Sequence, residues 1–233
     1  MGTHLASAHV LSSLRGWVAL ELPLLLGIGV ALCAAAVGAF ALRQWLRMRA
    51  MEELAERLGL SYDPVDESIP ARYAFLHATG RGKGREGRNV LAGTIDGHPV
   101  RVFDYPGAGF LGRTLLVLEH LGDFPELRIY PERLASKIAQ EAGLEDIELE
   151  SLEFSRAFCV RSQDRKLAYD VCNARMMDYL LRHGDLAVEL RRFCLVLSLG
   201  RLIRVRDIPA RLQQLAELRN LMPAYLFRNQ AEG

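Results

Sequence analysis

From Leu22 to Leu42 the chain reads LPLLLGIGVALCAAAVGAFAL, twenty-one positions without a charge. At about 1.5 Å per residue a helix of that length spans roughly 30 Å, the hydrocarbon thickness of a bilayer. No other segment of the chain is uncharged for so long. At Arg43 the pattern changes but the helical period does not. Ala50, Met51, Leu54, Ala55 and Leu58 recur at steps of three and four, opposite Glu52, Glu53, Glu56 and Arg57. Gly59 then supplies a residue suited to the left-handed position after a helix. The pattern predicts one helix from about Trp17 to Leu58, whose last third lays an apolar stripe on a folded domain and holds that domain near the bilayer.

After Leu60 the period shortens. Residues 61–88 are dense in turn and charge signals and predict no regular element. From Asn89 strands begin: NVLAGTI and HPVRVFDY flank Asp96-Gly97, a strong two-residue hairpin signal. Thr114–Leu118 suits a central strand, and Leu127–Tyr130 is a further strand stopped by Pro131. A helix is expected after Pro131, with Leu134, Ile138 and Ala142 inward. Ile147–Leu149 and Phe158–Arg161 are expected as short strands. Asp164 can cap a helix running to about His183, with Ala168, Cys172, Met176, Tyr179 and Leu180 on its inner face. Strands at Leu186–Arg191 and Cys194–Leu199 follow, joined by a basic turn, and a last helix opens at Asp207-Ile208-Pro209. Hairpins dominate and βαβ alternation is weak. The fold class expected is α+β: one N-terminal membrane helix continuing into the cytoplasm, then a mainly antiparallel sheet with helices on one face. The corresponding organisation is 1–16 outside, 17–42 in the membrane, 43–60 juxtamembrane and 61–228 a soluble domain.

Several of these stretches form a familiar set. Phe154-Ser155-Arg156-Ala157-Phe158-Cys159-Val160-Arg161-Ser162-Gln163-Asp164, then Ala168 and Met176-Met177-Asp178-Tyr179-Leu180, resemble an uncharacterised bacterial family of membrane-anchored proteins. Asn89-Val90-Leu91, Gly93 and Val102-Phe103-Asp104-Tyr105 look like that family's first hairpin. The resemblance runs roughly from Leu54 to Leu221. It implies an architecture, one or two N-terminal membrane helices with an α+β domain, and carries no catalytic residue.

Composition narrows the classes. With 233 residues, about 170 remain for the soluble part, enough for one domain with a real core. A net charge of +1 leaves no electrostatic footprint for nucleic acid. Of the four cysteines Cys33 lies in the apolar run, and Cys159, Cys172 and Cys194 have apolar neighbours and no CxxC spacing. They are expected as buried thiols in a reducing compartment rather than disulfides or zinc ligands. Arg43, Arg47 and Arg49 outnumber Arg15 across the apolar run, which by the positive-inside rule places the C-terminal side in the cytoplasm. Trp17 and Trp45 bracket the run, as interfacial rings do. The localisation expected is the inner (plasma) membrane, single-pass. Ala39-Phe40-Ala41 offers the alternative of a cleaved leader, but the run is too long and its flanking charge has the wrong asymmetry.

Candidate chemistry is sparse. Gly27, Ala31, Ala34, Gly38 and Ala41 fall at steps of 4, 3, 4 and 3, a small-residue stripe that lets two helices approach in lipid. It points to a membrane-protein partner or self-association. Gly82 to Gly87 matches G-x-G-x-x-G, yet a strand rather than a helix is expected after it, so a dinucleotide site does not follow. Lys83, Arg85 and Arg88 in this basic loop are candidates for anionic lipid headgroups. Asp104 and Tyr105 leave a strand at a glycine-rich turn, where an Asp usually bonds local backbone. The six histidines are scattered, and no G-x-S-x-G elbow, HExxH or Walker loop occurs. The expectation is no cofactor and no metal, and an interaction or assembly module rather than an enzyme. The alternatives are a sensor of a small ligand or headgroup, and an enzyme whose site converges only in the fold.

Overall fold

The computed structural model describes residues 4–76, 86–105, 112–134 and 144–228, with side chains from residue 25 onward. Its contacts divide the chain into two units, Met1–Arg49 and Ala50–Gly233. Helix α1 runs His4–Leu58, so it begins a dozen residues before the expected Trp17 and ends where expected. In the first unit, positions 25–46 of α1 are exposed, Leu25, Val30, Leu32 and Val37 among them.

The second unit begins with the final turns of α1. Met51, Leu54 and Ala55 are buried, as their spacing predicts. Gly59 closes the helix at φ +67: its N–H bonds Glu56 and the N–H of Leu60 reaches back to Ala55 at 2.9 Å. This double closure is the Schellman arrangement, which only a residue without a Cβ enters freely.

Among the described residues seven strands follow: β1 Ser61–Asp66, β2 Gly87–Ile95, β3 His98–Tyr105, β4 Arg113–Pro131, β5 Glu145–Asp146, β6 Phe158–Ser162 and β7 Ala187–Ser198. Between them lie the helices α2 Ile69–Arg72, α3 Leu152–Ala157, α4 Arg165–Val171 and α5 Ala174–Arg182, and α6 Ile208–Leu221 and α7 Tyr225–Arg228 close the chain. The sheet order is β1-β2-β3-β4-β6-β5, with β7 also on β4. Every pairing is antiparallel, so the α+β reading holds. The β2–β3 hairpin turns at Asp96-Gly97, both with positive φ, as that dipeptide demands.

Several expectations are corrected. Residues 61–72 are not a loop: β1 is an edge strand, where Pro64 costs no ladder bond, and α2 follows it. Thr114–Leu118 and Leu127–Tyr130 are one strand, β4. The turn residues Gly122, Asp123 and Pro125 shift its register against β7 rather than ending it. The basic turn between the two late strands is likewise a kink in a single β7. Arg192, at φ +52, lies opposite Phe124, so both strands of the ribbon are irregular at one place. The expected Asp164–His183 helix is two helices. Asp164 does cap α4, accepting from Leu167, but Asn173 restarts the chain as the cap of α5, accepting from Met176 at 3.1 Å. The strand expected at Ile147 shrinks to β5, beside which Ile147 still donates to Val160. Of the helix expected after Pro131, Glu132–Leu134 is a 3-10 turn, and Ile138 and Ala142 lie outside the described residues.

Both sheet faces are covered. On one, Val102, Leu116 and Leu197 meet Met51 and Leu54 and the inner sides of α3–α6. On the other, Phe103, Leu115, Val117, Cys194 and Val196 lie under Ile69, Tyr73 and Leu76. Most helices therefore share one face as expected, while α2 and the residues after it cover the other.

Candidate functional site

The stripe residues Gly27, Ala31, Ala34, Gly38 and Ala41 are all in α1 and exposed, and a Cβ built at Gly27 or Gly38 would meet no atom within 4 Å. By length and composition, Leu25–Leu58 is one helix able to cross a membrane among the described residues. Lys83 and Arg85 lie outside the described residues. Arg88 is not loop but β2, and its guanidinium bonds Glu86 at 2.6 Å.

Asp104 is buried, and two of its partners lie on neighbouring strands. It accepts from Asn89 on β2 at 2.9 Å and from Thr114 on β4 at 2.7 Å, joining three strands side by side. Thr114 Oγ1 in turn accepts from the N–H of Ile203, and Tyr62 donates to Asn89. These cross-strand partners are set by strand register. Burial pushes the Cys172 thiol up to about 12, and burial followed by a bond to Glu132 does the same to the half-buried Cys159, which keeps both away from the reactive thiolate form.

Clefts among the described residues of the second unit include the following pair. One, of about 600 Å³, includes Arg72, His98, Glu119, His120 and Phe193 in its lining. Glu119 is its electrostatic centre. Arg72 grips both carboxylate oxygens at 2.9 and 2.7 Å, and Tyr73 donates to one of them at 2.5 Å. Burial alone would raise the Glu119 carboxyl; these bonds outweigh it and hold the group below the usual range.

The other cleft, of about 380 Å³, draws on both ends of β4 and both ends of β7: Arg113 and Arg128–Tyr130 from one strand, Ala187–Glu189, Val196 and Ser198 from the other. The kinked ribbon thus curls until its ends share one hollow. Two residues before Arg128, Glu126 pairs with it and, at 2.8 Å, with Arg191, which also donates to the carbonyl of Phe75. Leu127 and Leu190 belong to the main core. Sequence reading missed this constellation. The available signal was the alternation of charges in two apolar strands, ELRIY and VELRR.

No family model matches the chain, and no curated protein matches it in sequence. The family resemblance therefore rests on the residues quoted for it. A solved structure shares the fold: the crystal structure of the mycobacterial trehalose monomycolate transport factor A, TtfA, covers 76% of this chain and 96% of that chain, with a TM-score of 0.59 at 15% identity. At that identity the likeness shows the fold alone.

Proposed function

We propose that this chain is a membrane-anchored accessory protein, an interaction or assembly module that acts by holding on to other membrane components. The observation that carries the reading is the exposed apolar run of α1. Leu25, Leu26, Val30, Leu32, Val37 and Phe40 are each more than half exposed along one continuous helix. A surface of that length has no stable place in water, and a bilayer satisfies it. Arg43, Arg47 and Arg49 after the run favour a cytoplasmic C-terminal domain and a single pass through the inner membrane. The open stripe from Gly27 to Ala41 is where a second helix would fit closely. A fold shared with a protein whose name is that of a transport factor supports a helper role at a membrane.

The test is crosslinking in intact membranes followed by affinity purification in mild detergent. The full chain should stay with the membrane after alkaline washing and bring down a membrane protein, or a second copy, in stoichiometric amount. Gly27→Leu with Gly38→Leu should weaken that crosslink at unchanged protein level. A chain released by washing, or one that crosslinks to nothing, rejects the reading.

A further inference from the structure

We propose that the cleft enclosed by the curled β4–β7 ribbon binds a small anionic ligand, a phosphate ester or carboxylate with a short apolar body. Three independent observations converge. Its volume of about 380 Å³ falls within the range of small-molecule sites. Its charged lining is unbalanced: Arg113, Arg128 and Arg201 face the single carboxylate Glu189. Arg128 is already matched by Glu126, whereas Arg113 and Arg201 have no carboxylate within ion-pairing distance among the described residues. They leave neighbouring points of the backbone, since the N–H of Thr114 bonds the carbonyl of Arg201 at 3.1 Å. The forked donors of a guanidinium suit phosphate or carboxylate oxygens.

The third observation is Tyr130. It is 2% exposed, lines the same cleft, and its hydroxyl has no hydrogen-bond partner among the described residues. Native folds rarely bury a donor unmatched, and one left so at the wall of a cavity is matched by what fills the cavity. Val196 and Leu199 supply apolar wall beside these donors, the mixture that orients an anion with a greasy tail. In this arrangement Arg113 and Arg201 take the anion and Tyr130 donates one hydrogen bond to it.

Isothermal titration of the full chain in nonionic detergent tests the site with two probes, phenyl phosphate and the soluble short-chain lipid dihexanoyl phosphatidylglycerol. At least one should bind with a millimolar or tighter dissociation constant. A preference for the first marks a soluble ester as the natural class, and a preference for the second marks a lipid headgroup. Arg113→Gln with Arg201→Gln should weaken binding by about tenfold or more, and Tyr130→Phe by several-fold with thermal unfolding unchanged. Arg206→Gln, which removes the same charge outside the cleft, should leave affinity intact. Binding of neither probe overturns the proposal. So does equal affinity in the arginine variant, or an equal loss in Arg206→Gln. If the arginine variant does not fold, an affinity unchanged in Tyr130→Phe overturns it.

Discussion

Glu119 is one carboxylate gripped by two close donors, with Arg101 a further 3.8 Å away. Because its folded pKa lies below the ordinary value, its contribution to stability is complete above the unfolded pKa, near 4.3, and is lost as pH falls through the folded one. The melting temperature of the wild type should therefore drop as pH is lowered below about 5, and Glu119→Gln should flatten that part of the curve. At neutral pH the same variant should lose about 1–3 kcal/mol, because Arg72 and Tyr73 keep a weaker acceptor. Denaturant titrations at several pH values read both effects. The Asp104 cluster makes a related point about what residues reveal in sequence. That Asp104 would need bonds was legible from its type; that Asn89 and Thr114 supply them was not, since they meet it only through the register of three strands.

At the scale of elements, the placement of α2 depends on a missing side chain. A Cβ on Gly87 would lie 2.6 Å from Cγ1 and 3.0 Å from Cβ of Ile69, the buried residue that opens α2. The Cβ of Ile69 is not a tip that can swing aside, so Gly87→Ala should push α2 off the sheet and cost about 1–3 kcal/mol by denaturant unfolding. Asp96→Asn, at a turn that suits Asn-Gly equally well, is the control and should stay near wild type. The hairpin at Asp96-Gly97 and the stop at Gly59 were legible in sequence because each is fixed by its own backbone. The continuity of β4 was not. Gly122, Asp123 and Pro125 are turn residues by local preference, yet tertiary pairing with β7 carries the strand through them as a kink.

At the scale of the molecule, Met51, Leu54 and Ala55 belong to the core of the second unit although they are in α1. A chain starting at Ala50 should fold as a monomeric domain with a single cooperative melt. One starting at Leu60 should melt far lower, since losing a buried Met or Leu costs about 2–5 kcal/mol each. Circular dichroism melts of the two truncations decide it; equal stability would detach the end of α1 from the core. The membrane helix was plain in sequence because apolar length needs no tertiary information. The clefts were hidden because Arg113, Arg128 and Glu189 come from distant stretches whose meeting depends on how the ribbon bends.

The hub position of β4 has a consequence for biosynthesis. It borders β3, β6 and β7, yet Ser198, which pairs with Leu115, is made long after it. On the ribosome one edge of β4 therefore stays without its partner until β7 has been made. Such late long-range closure is slow and leaves an adhesive edge open meanwhile. Nascent chains arrested before Ala187 should therefore be engaged by chaperones and cut readily by protease, and chains arrested well past Leu221 should resist both.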